Sequence, residues 1–274
     1  MALFHGDIFS ETLQLFTPLT VYLPQDDGTF RSCPDLLQRT LIMLHGLGTN
    51  SSGWTRFSNV ERYARERNIA LVFPDGGYSF YSNMTNGKRY EDYIGKELPD
   101  LISRLFRVNT DRDSLYVAGL SMGGYGALKL AFTYPETFGR CASFSGALMN
   151  GDADYLEKLK SYADPVHGRE GIEVDGLTKS CLESSLGVFG DTLSYRPEND
   201  IVRLAEQAVR SGKPLPKILM TCGTEDFLYE INRRYHDLFT QLGLEIPFHT
   251  WSGAHEWPFW EECVARYMDF FQPG

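Results

Sequence analysis

Short apolar runs alternate with amphipathic stretches along most of the chain. The continuous apolar runs at 40–44, 69–73 and 217–222 are typical of strands that are buried on both faces of a parallel sheet. Segments with apolar residues at helical spacing, such as 91–106, lie between such runs. The alternation predicts an α/β protein with a mostly parallel central sheet flanked by helices.

Three stretches depart from this alternation. Residues 8–23 are rich in strand-forming side chains, and Pro18 indicates an edge strand or a hairpin break. Residues 24–39 form a predicted polar loop with a turn at 26–28. Residues 149–199 are polar, contain scattered glycines and lack a core-sized apolar pattern. We therefore expect one domain over residues 1–274, with a cap-like insertion at 149–199 near the active site.

Composition and charge narrow the class of protein. The 274 residues carry a formal net charge of −10, which argues against non-specific binding to nucleic acid and against docking on an anionic membrane. Residues 1–7 have neither a basic region nor a long apolar stretch, so we expect no signal peptide, and no apolar run approaches the ~18 residues of a membrane span. The five cysteines show neither C-x-x-C nor metal-ligand spacing, so we expect a reduced, cytoplasmic protein without a metal.

A G-x-S-x-G pentapeptide at 119–123 is the first chemical signal. It follows the apolar run 114–118 and precedes the small-residue helical segment 124–132. Strand, tight turn and helix form the context of a nucleophile elbow, in which the serine hydroxyl is exposed at the carboxyl end of a buried strand. Ser121 is therefore the candidate nucleophile, although a glycine-rich turn without catalytic function produces the same pattern.

A second glycine-containing loop supports this interpretation. His45-Gly46-Leu47-Gly48 directly follows the apolar run 40–44. A loop at this position can direct a backbone N–H toward an oxyanion, and Leu47 is the candidate donor. The helix after Ser121 would supply the second donor, the N–H of Met122.

A catalytic serine needs a base, and that base needs an orienting carboxylate. Asp226 follows the predicted strand 217–222, and His255 follows the predicted strand 245–251. Both would therefore lie at the same sheet edge as Ser121, in the chain order Ser, Asp, His of the α/β hydrolases. Glu225 is the alternative acid. His45 precedes the serine, so its expected task is to shape the oxyanion loop.

Aromatic residues in the loops at this sheet edge are candidate pocket walls, although each of them could equally be core packing. Together with His45, the predicted substrate-binding residues are Trp54, Tyr78, Tyr81 and Trp257.

Several segments together resemble the esterase D-related putative esterase family, and bacterial tributyrin esterases most of all. The segments that carry the resemblance are 44–48, 118–126, 142–148, 222–229 and 255–257. The resemblance implies an α/β-hydrolase fold and a cofactor-free carboxylesterase, with Ser121 as nucleophile, Asp226 as acid and His255 as base. It also implies an oxyanion hole formed by Leu47 and Met122.

The resemblance also implies short-chain acyl esters, acetyl to butyryl, as substrates, and acetylated or feruloylated sugars are further candidates. Two other classes stay open at this point: a thioesterase or acyltransferase such as S-formylglutathione hydrolase, and a non-catalytic binding protein on the same fold. The natural substrate, the leaving group and the oligomeric state, a homo-oligomer included, do not follow from the sequence.

Overall fold

A central sheet of eight strands organises the protein. The computed structural model describes residues 1–24, 38–163 and 175–272; the turn predicted at 26–28 lies outside them. The strand order is β1-β2-β4-β3-β5-β6-β7-β8. Strand β2 is antiparallel to both of its neighbours, β1 and β4, and β3 to β8 run parallel to one another. The strands are β1 (Ala2–Ser10), β2 (Leu15–Leu23), β3 (Arg39–Leu44), β4 (Ile69–Pro74), β5 (Leu115–Leu120), β6 (Arg140–Phe144), β7 (Lys217–Gly223) and β8 (Phe248–Trp251).

Helices cover both faces of this sheet, which confirms the predicted α/β architecture. Every residue of β4 and β5 is buried, as expected for strands between two helical layers. No helix of the described residues is both long and apolar enough to cross a membrane. The helices are α1 (Gly53–Phe57), α2 (Val60–Arg65), α3 (Tyr90–Asp92), α4 (Leu98–Phe106), α5 (Met122–Thr133), α6 (Ala153–Ala163), α7 (Gly176–Phe189), α8 (Ile201–Ser211), α9 (Tyr229–Gln241) and α10 (Trp257–Tyr267).

The N-terminal stretch is a hairpin, and its break is not at Pro18. The chain turns at residues 11–14, where Gln14 adopts φ 54°, and Pro18 lies inside β2 opposite Asp7. The carboxylate of Glu97 stabilises the turn because it accepts the N–H groups of Glu11 and Thr12. Ser10 closes the turn locally, since it accepts the N–H groups of Leu13 and Gln14, and Glu97 adds a contact from more than 80 positions away that local sequence could not reveal.

The segment 149–199 has more internal structure than its polar composition predicts. Helices α6 and α7 lie within it, and they share a small apolar cluster with the segment that follows α7. The buried members of this cluster are Leu156, Leu159, Val188, Phe189 and Leu193. Hydrogen bonds join α7 to the loop after β4, including Ser184 Oγ to the Tyr78 carbonyl oxygen at 2.6 Å and Thr85 Oγ1 to the Val188 carbonyl oxygen at 2.8 Å.

Candidate active site

The turn between β5 and α5 holds Ser121 in a strained conformation. Its φ of 54° and ψ of −116° lie where non-glycine residues are rare, and such strain is concentrated at functional sites. A Cβ on Gly119 would lie 2.3 Å from the carbonyl oxygen of Gly123, and a Cβ on Gly123 would lie 2.4 Å from the carbonyl oxygen of Leu44. The two glycines therefore allow strand, turn and helix to approach closely enough to present the serine.

Three side chains from three separate strand ends meet in one hydrogen-bonded chain. His255 Nε2 lies 3.0 Å from Ser121 Oγ. His255 Nδ1 lies 2.9 Å and 3.1 Å from the two carboxylate oxygens of Asp226. These distances are those of hydrogen bonds. The structure thus brings together Ser121, Asp226 and His255, in the geometry of a nucleophile, a base and an orienting acid.

Asp226 is a buried carboxylate with several donors. Burial by itself raises the pKa of Asp226, but the hydrogen bonds and charge interaction with His255, together with the Leu228 N–H at 2.8 Å, hold this pKa below its ordinary value. The carboxylate is therefore ionised at neutral pH. An ionised acid can fix the imidazole tautomer and stabilise the imidazolium form of His255.

Glu225, the alternative acid, supports the site from outside. Its carboxylate accepts the N–H of Gly253 and the hydroxyl of Ser252, and its own N–H donates to the Gly253 carbonyl oxygen at 3.1 Å. A Cβ on Gly223 would lie 2.0 Å from that carbonyl oxygen. The loop that carries Asp226 and the loop that carries His255 are therefore in direct backbone contact, which fixes the two side chains relative to each other.

The loop after β3 is held by buried hydrogen bonds. His45 Nδ1–H donates to the Gly46 carbonyl oxygen at 2.8 Å, and His45 Nε2 accepts the Gly76 N–H at 2.9 Å. Burial lowers the pKa of His45, so the ring is neutral, as these two bonds require. The Tyr81 hydroxyl donates to the His45 carbonyl oxygen at 2.9 Å. Leu47 follows in this fixed loop and lines the cavity beside Ser121.

Met122 is the first residue of α5. Its N–H has no earlier helical turn to which it could donate, so it is free for a ligand at the positive end of the helix dipole. Leu47 on the β3 loop and Met122 on α5 therefore stay the predicted oxyanion donors, with Leu47 on the cavity wall and Met122 next to Ser121.

A cavity of about 140 Å³ opens at Ser121 and His255. Its wall is mostly apolar and contains no Asp, Glu, Lys or Arg among the described residues. Five residues of the segment 149–199 also line this cavity: Met149, Asn150, Tyr155, Leu177 and Cys181.

The structure corrects four of the five predicted pocket residues. Trp257 lines the cavity, but Trp54 and Tyr81 lie behind the wall because each is fully buried and binds a backbone carbonyl oxygen. His45 supports the oxyanion loop from beneath and does not reach the cavity. Tyr78 is exposed, and its contribution is a carbonyl oxygen that accepts the hydroxyl of Ser184.

Other aromatic residues surround His255 instead. The ring of Phe227 lies 4.6 Å from the His255 ring, and the ring of Trp260 stands perpendicular to it at 4.9 Å. Phe80 lines the cavity from the loop after β4. Phe227 follows Asp226 directly, so its position next to the acid is the sequence signal that could have identified it. No sequence signal of this kind identifies Tyr155, Leu177 or Cys181 as cavity residues.

The fold and this arrangement define an α/β hydrolase with a serine-centred site. The chain matches the family described as "Putative esterase" over residues 10–267. The chain therefore belongs to the putative esterase family, and it is a carboxylic ester hydrolase of the serine hydrolase class.

Individual relatives agree with this family. An acetyl esterase of Caldicellulosiruptor saccharolyticus is 27% identical over 276 residues, which cover 98% of each chain. The substrate-bound structure of FphF, a fluorophosphonate-binding serine hydrolase of Staphylococcus aureus, is 29% identical with a TM-score of 0.80 over 98% of each chain. The S-formylglutathione hydrolase FrmB of Staphylococcus aureus, solved as apoenzyme, is 29% identical with a TM-score of 0.79 over 98% of each chain.

Proposed function

We propose that the protein hydrolyses short-chain acyl esters, acetyl to butyryl, through a Ser121–His255–Asp226 triad and an acyl-enzyme. The observation that carries the proposal is the continuous hydrogen-bonded chain from Ser121 Oγ through both nitrogens of His255 to Asp226. This chain joins the strained elbow to a buried, ionised acid, which is what an activated serine requires.

The reaction follows from the positions of these groups. His255 Nε2 accepts the proton of Ser121 as Oγ attacks the ester carbonyl carbon, and Asp226 stabilises the imidazolium that forms. The N–H groups of Leu47 and Met122 stabilise the tetrahedral oxyanion, each worth about 3 kcal/mol. His255 then protonates the leaving alcohol, and it next activates a water molecule that releases the acid from Ser121.

The preference for a short acyl chain rests on the cavity. Its volume of about 140 Å³ is close to that of an engineered protein cavity, about 150 Å³, that holds one benzene molecule. A butyryl group has fewer heavy atoms than benzene, whereas a feruloyl group has more than twice as many. The apolar, uncharged wall favours a neutral alkyl chain over a charged one. The acetyl esterase relative is consistent with the same substrate class.

The experiment compares wild type, Ser121→Ala and a control, Ser211→Ala, on p-nitrophenyl acetate, butyrate, octanoate and ferulate. Loss of the nucleophile is expected to lower kcat by about 10⁵-fold or more, as in other serine hydrolases, and Ser211→Ala is expected to retain full activity. Wild type is expected to prefer acetate and butyrate. Undiminished turnover by Ser121→Ala would overturn the triad, and a preference for octanoate or ferulate would overturn the acyl-chain assignment.

A second candidate substrate is a formyl thioester, because FrmB resembles the chain over its full length. The triad and oxyanion donors would act on a thioester carbonyl in the same way. The cavity wall offers no cation among the described residues that would bind the carboxylates of glutathione. We therefore expect higher kcat/KM for p-nitrophenyl acetate than for S-formylglutathione, and the reverse order would favour the thioesterase.

A further inference from the structure

Strand β1 forms an edge of the sheet and pairs only with β2 among the described strands. All nine residues, Ala2–Ser10, pair with β2 in one unbroken register. Edge strands of monomeric proteins are usually short or interrupted by a proline, a bulge or a lysine, which prevents pairing with another chain. β1 contains none of these, so a long row of its backbone N–H and C=O groups faces outward.

Large apolar side chains are exposed along the same edge. Leu3, Phe4 and Phe9 are 42%, 47% and 43% exposed. Phe16 on β2 is 71% exposed, and its ring lies 5.4 Å from that of Phe9. A group of exposed apolar residues beside unpaired backbone is typical of a protein–protein interface.

The sequence of β1 is complementary to itself. When two copies pair antiparallel about Gly6, His5 lies opposite Asp7, Phe4 opposite Ile8 and Leu3 opposite Phe9. Residues opposite one another in an antiparallel pair lie on the same face of the sheet. We propose that β1 binds β1 of a second copy of this chain, with a two-fold axis at Gly6, so that the sheet continues from one subunit into the other.

The pairing of His5 with Asp7 favours this register over its neighbours. A shift of two residues in one direction places His5 opposite His5, and a shift in the other direction places Asp7 opposite Asp7. His5 Nδ1 already shares a hydrogen bond with Thr20 Oγ1 at 2.9 Å, which leaves Nε2 for the Asp7 carboxylate of the second copy. Exposed pairs of this kind contribute little free energy, but they discriminate against wrong registers.

Cross-linking tests the axis directly. Gly6→Cys introduces a Cβ that meets no atom of its own chain within 4 Å. Across the two-fold axis the two Cα atoms would be about 4.5–5.5 Å apart, which a disulfide can span. His249→Cys, an exposed position on β8 at the opposite edge of the sheet, is the matched control because its partner on β7 is Thr221. Wild type shows how much cross-linking comes from the native cysteines.

We expect light scattering to give a dimer for wild type, and diamide to convert Gly6→Cys but not His249→Cys into a covalent dimer. Wild type that stays monomeric up to about 100 μM would overturn the proposal, because its dimer would then be weaker than most biological dimers. Equal cross-linking of both variants would also overturn it. So would a disulfide between the two variants when they are mixed, since that product indicates pairing of opposite sheet edges.

A charge exchange tests the register. Asp7→Arg removes the carboxylate that would accept the His5 Nε2–H in both pairs and is expected to weaken the dimer about tenfold. The double variant His5→Asp with Asp7→His restores both pairs and is expected to restore the affinity. The control Asp113→Arg makes the same charge change at an exposed loop and should have no effect. A double variant as weak as Asp7→Arg would contradict this register; ester hydrolysis verifies that each variant is folded.

Discussion

Two regions meet at the cavity, and they are held in different ways. The catalytic loops follow parallel strands, and backbone contacts such as that between Gly223 and Gly253 lock them together. The wall from the segment 149–199 rests on its own small apolar cluster, on hydrogen bonds to the loop after β4, and on hydrogen bonds from the Tyr125 and Tyr235 hydroxyls near the two ends of the segment. The difference indicates that the chemistry is fixed by the sheet, whereas the shape of the substrate pocket depends on side chains that can change without disturbing it.

The largest expected effect comes from a substitution in the catalytic loops alone. Asp226→Asn should lower kcat about 10⁴-fold, because an amide no longer holds His255 in the productive tautomer. Glu225→Gln is the control: it weakens hydrogen bonds to the base loop and should cost about tenfold at most. Steady-state kinetics with p-nitrophenyl butyrate measures both, with thermal unfolding to verify the fold. Similar losses in the two variants would contradict the assignment of the acid.

The next largest effect is expected from close packing at the turn that carries Ser121, compared with the segment 149–199. Gly123→Ala forces a Cβ against the Leu44 carbonyl oxygen and should destabilise the protein by about 3 kcal/mol. Gly176→Ala, at the start of α7 in the other region, meets no atom within 4 Å and should change stability by about 1 kcal/mol at most. Urea unfolding measures both free energies. A tolerated Gly123→Ala would mean that the elbow is less tightly packed than its backbone contacts indicate.

Substitutions in the wall from the segment 149–199 should change substrate preference without loss of catalysis. Tyr155→Ala enlarges the cavity and should raise the ratio of kcat/KM for octanoate over butyrate about tenfold, since each additional buried methylene contributes about 0.8 kcal/mol. Trp54→Phe, behind the wall, loses its bond to the Leu44 carbonyl oxygen and should lower Tm with the ratio unchanged. If Trp54→Phe changed this ratio and Tyr155→Ala did not, Trp54 and not Tyr155 would line the substrate pocket.

The smallest expected effect is a pH dependence of stability. Because the folded-state pKa of Asp226 is lowered, its ionised form stabilises the native state above the ordinary carboxyl value of about 4, and this stabilisation is lost as pH falls through the folded-state pKa. The difference in unfolding free energy between wild type and Asp226→Asn should therefore narrow below about pH 4. The difference for an exposed control, Asp113→Asn, should stay constant, and parallel curves for both variants would contradict a stabilising Asp226.

The same contrast explains which features were predictable. Ser121, Asp226 and His255 each follow an apolar strand, and parallel strands bring their carboxyl ends to one edge, so chain order sufficed to predict their convergence. The pocket was not predictable in this way. Trp54 and Tyr81 looked like wall residues, but their polar atoms bind backbone carbonyl oxygens in the interior. Tyr155, Leu177 and Cys181 reach the cavity through the packing of α6 and α7, which no local pattern encodes.

The most direct test of the central claim is to observe the acyl group on the enzyme. Wild type mixed with excess p-nitrophenyl butyrate, quenched in acid within the first turnover, can be digested and examined by mass spectrometry. The account predicts one butyryl group on the peptide that contains Ser121, and none in Ser121→Ala. A butyryl group on another nucleophile of the cavity, such as Cys181, or turnover without any acylated intermediate would contradict it.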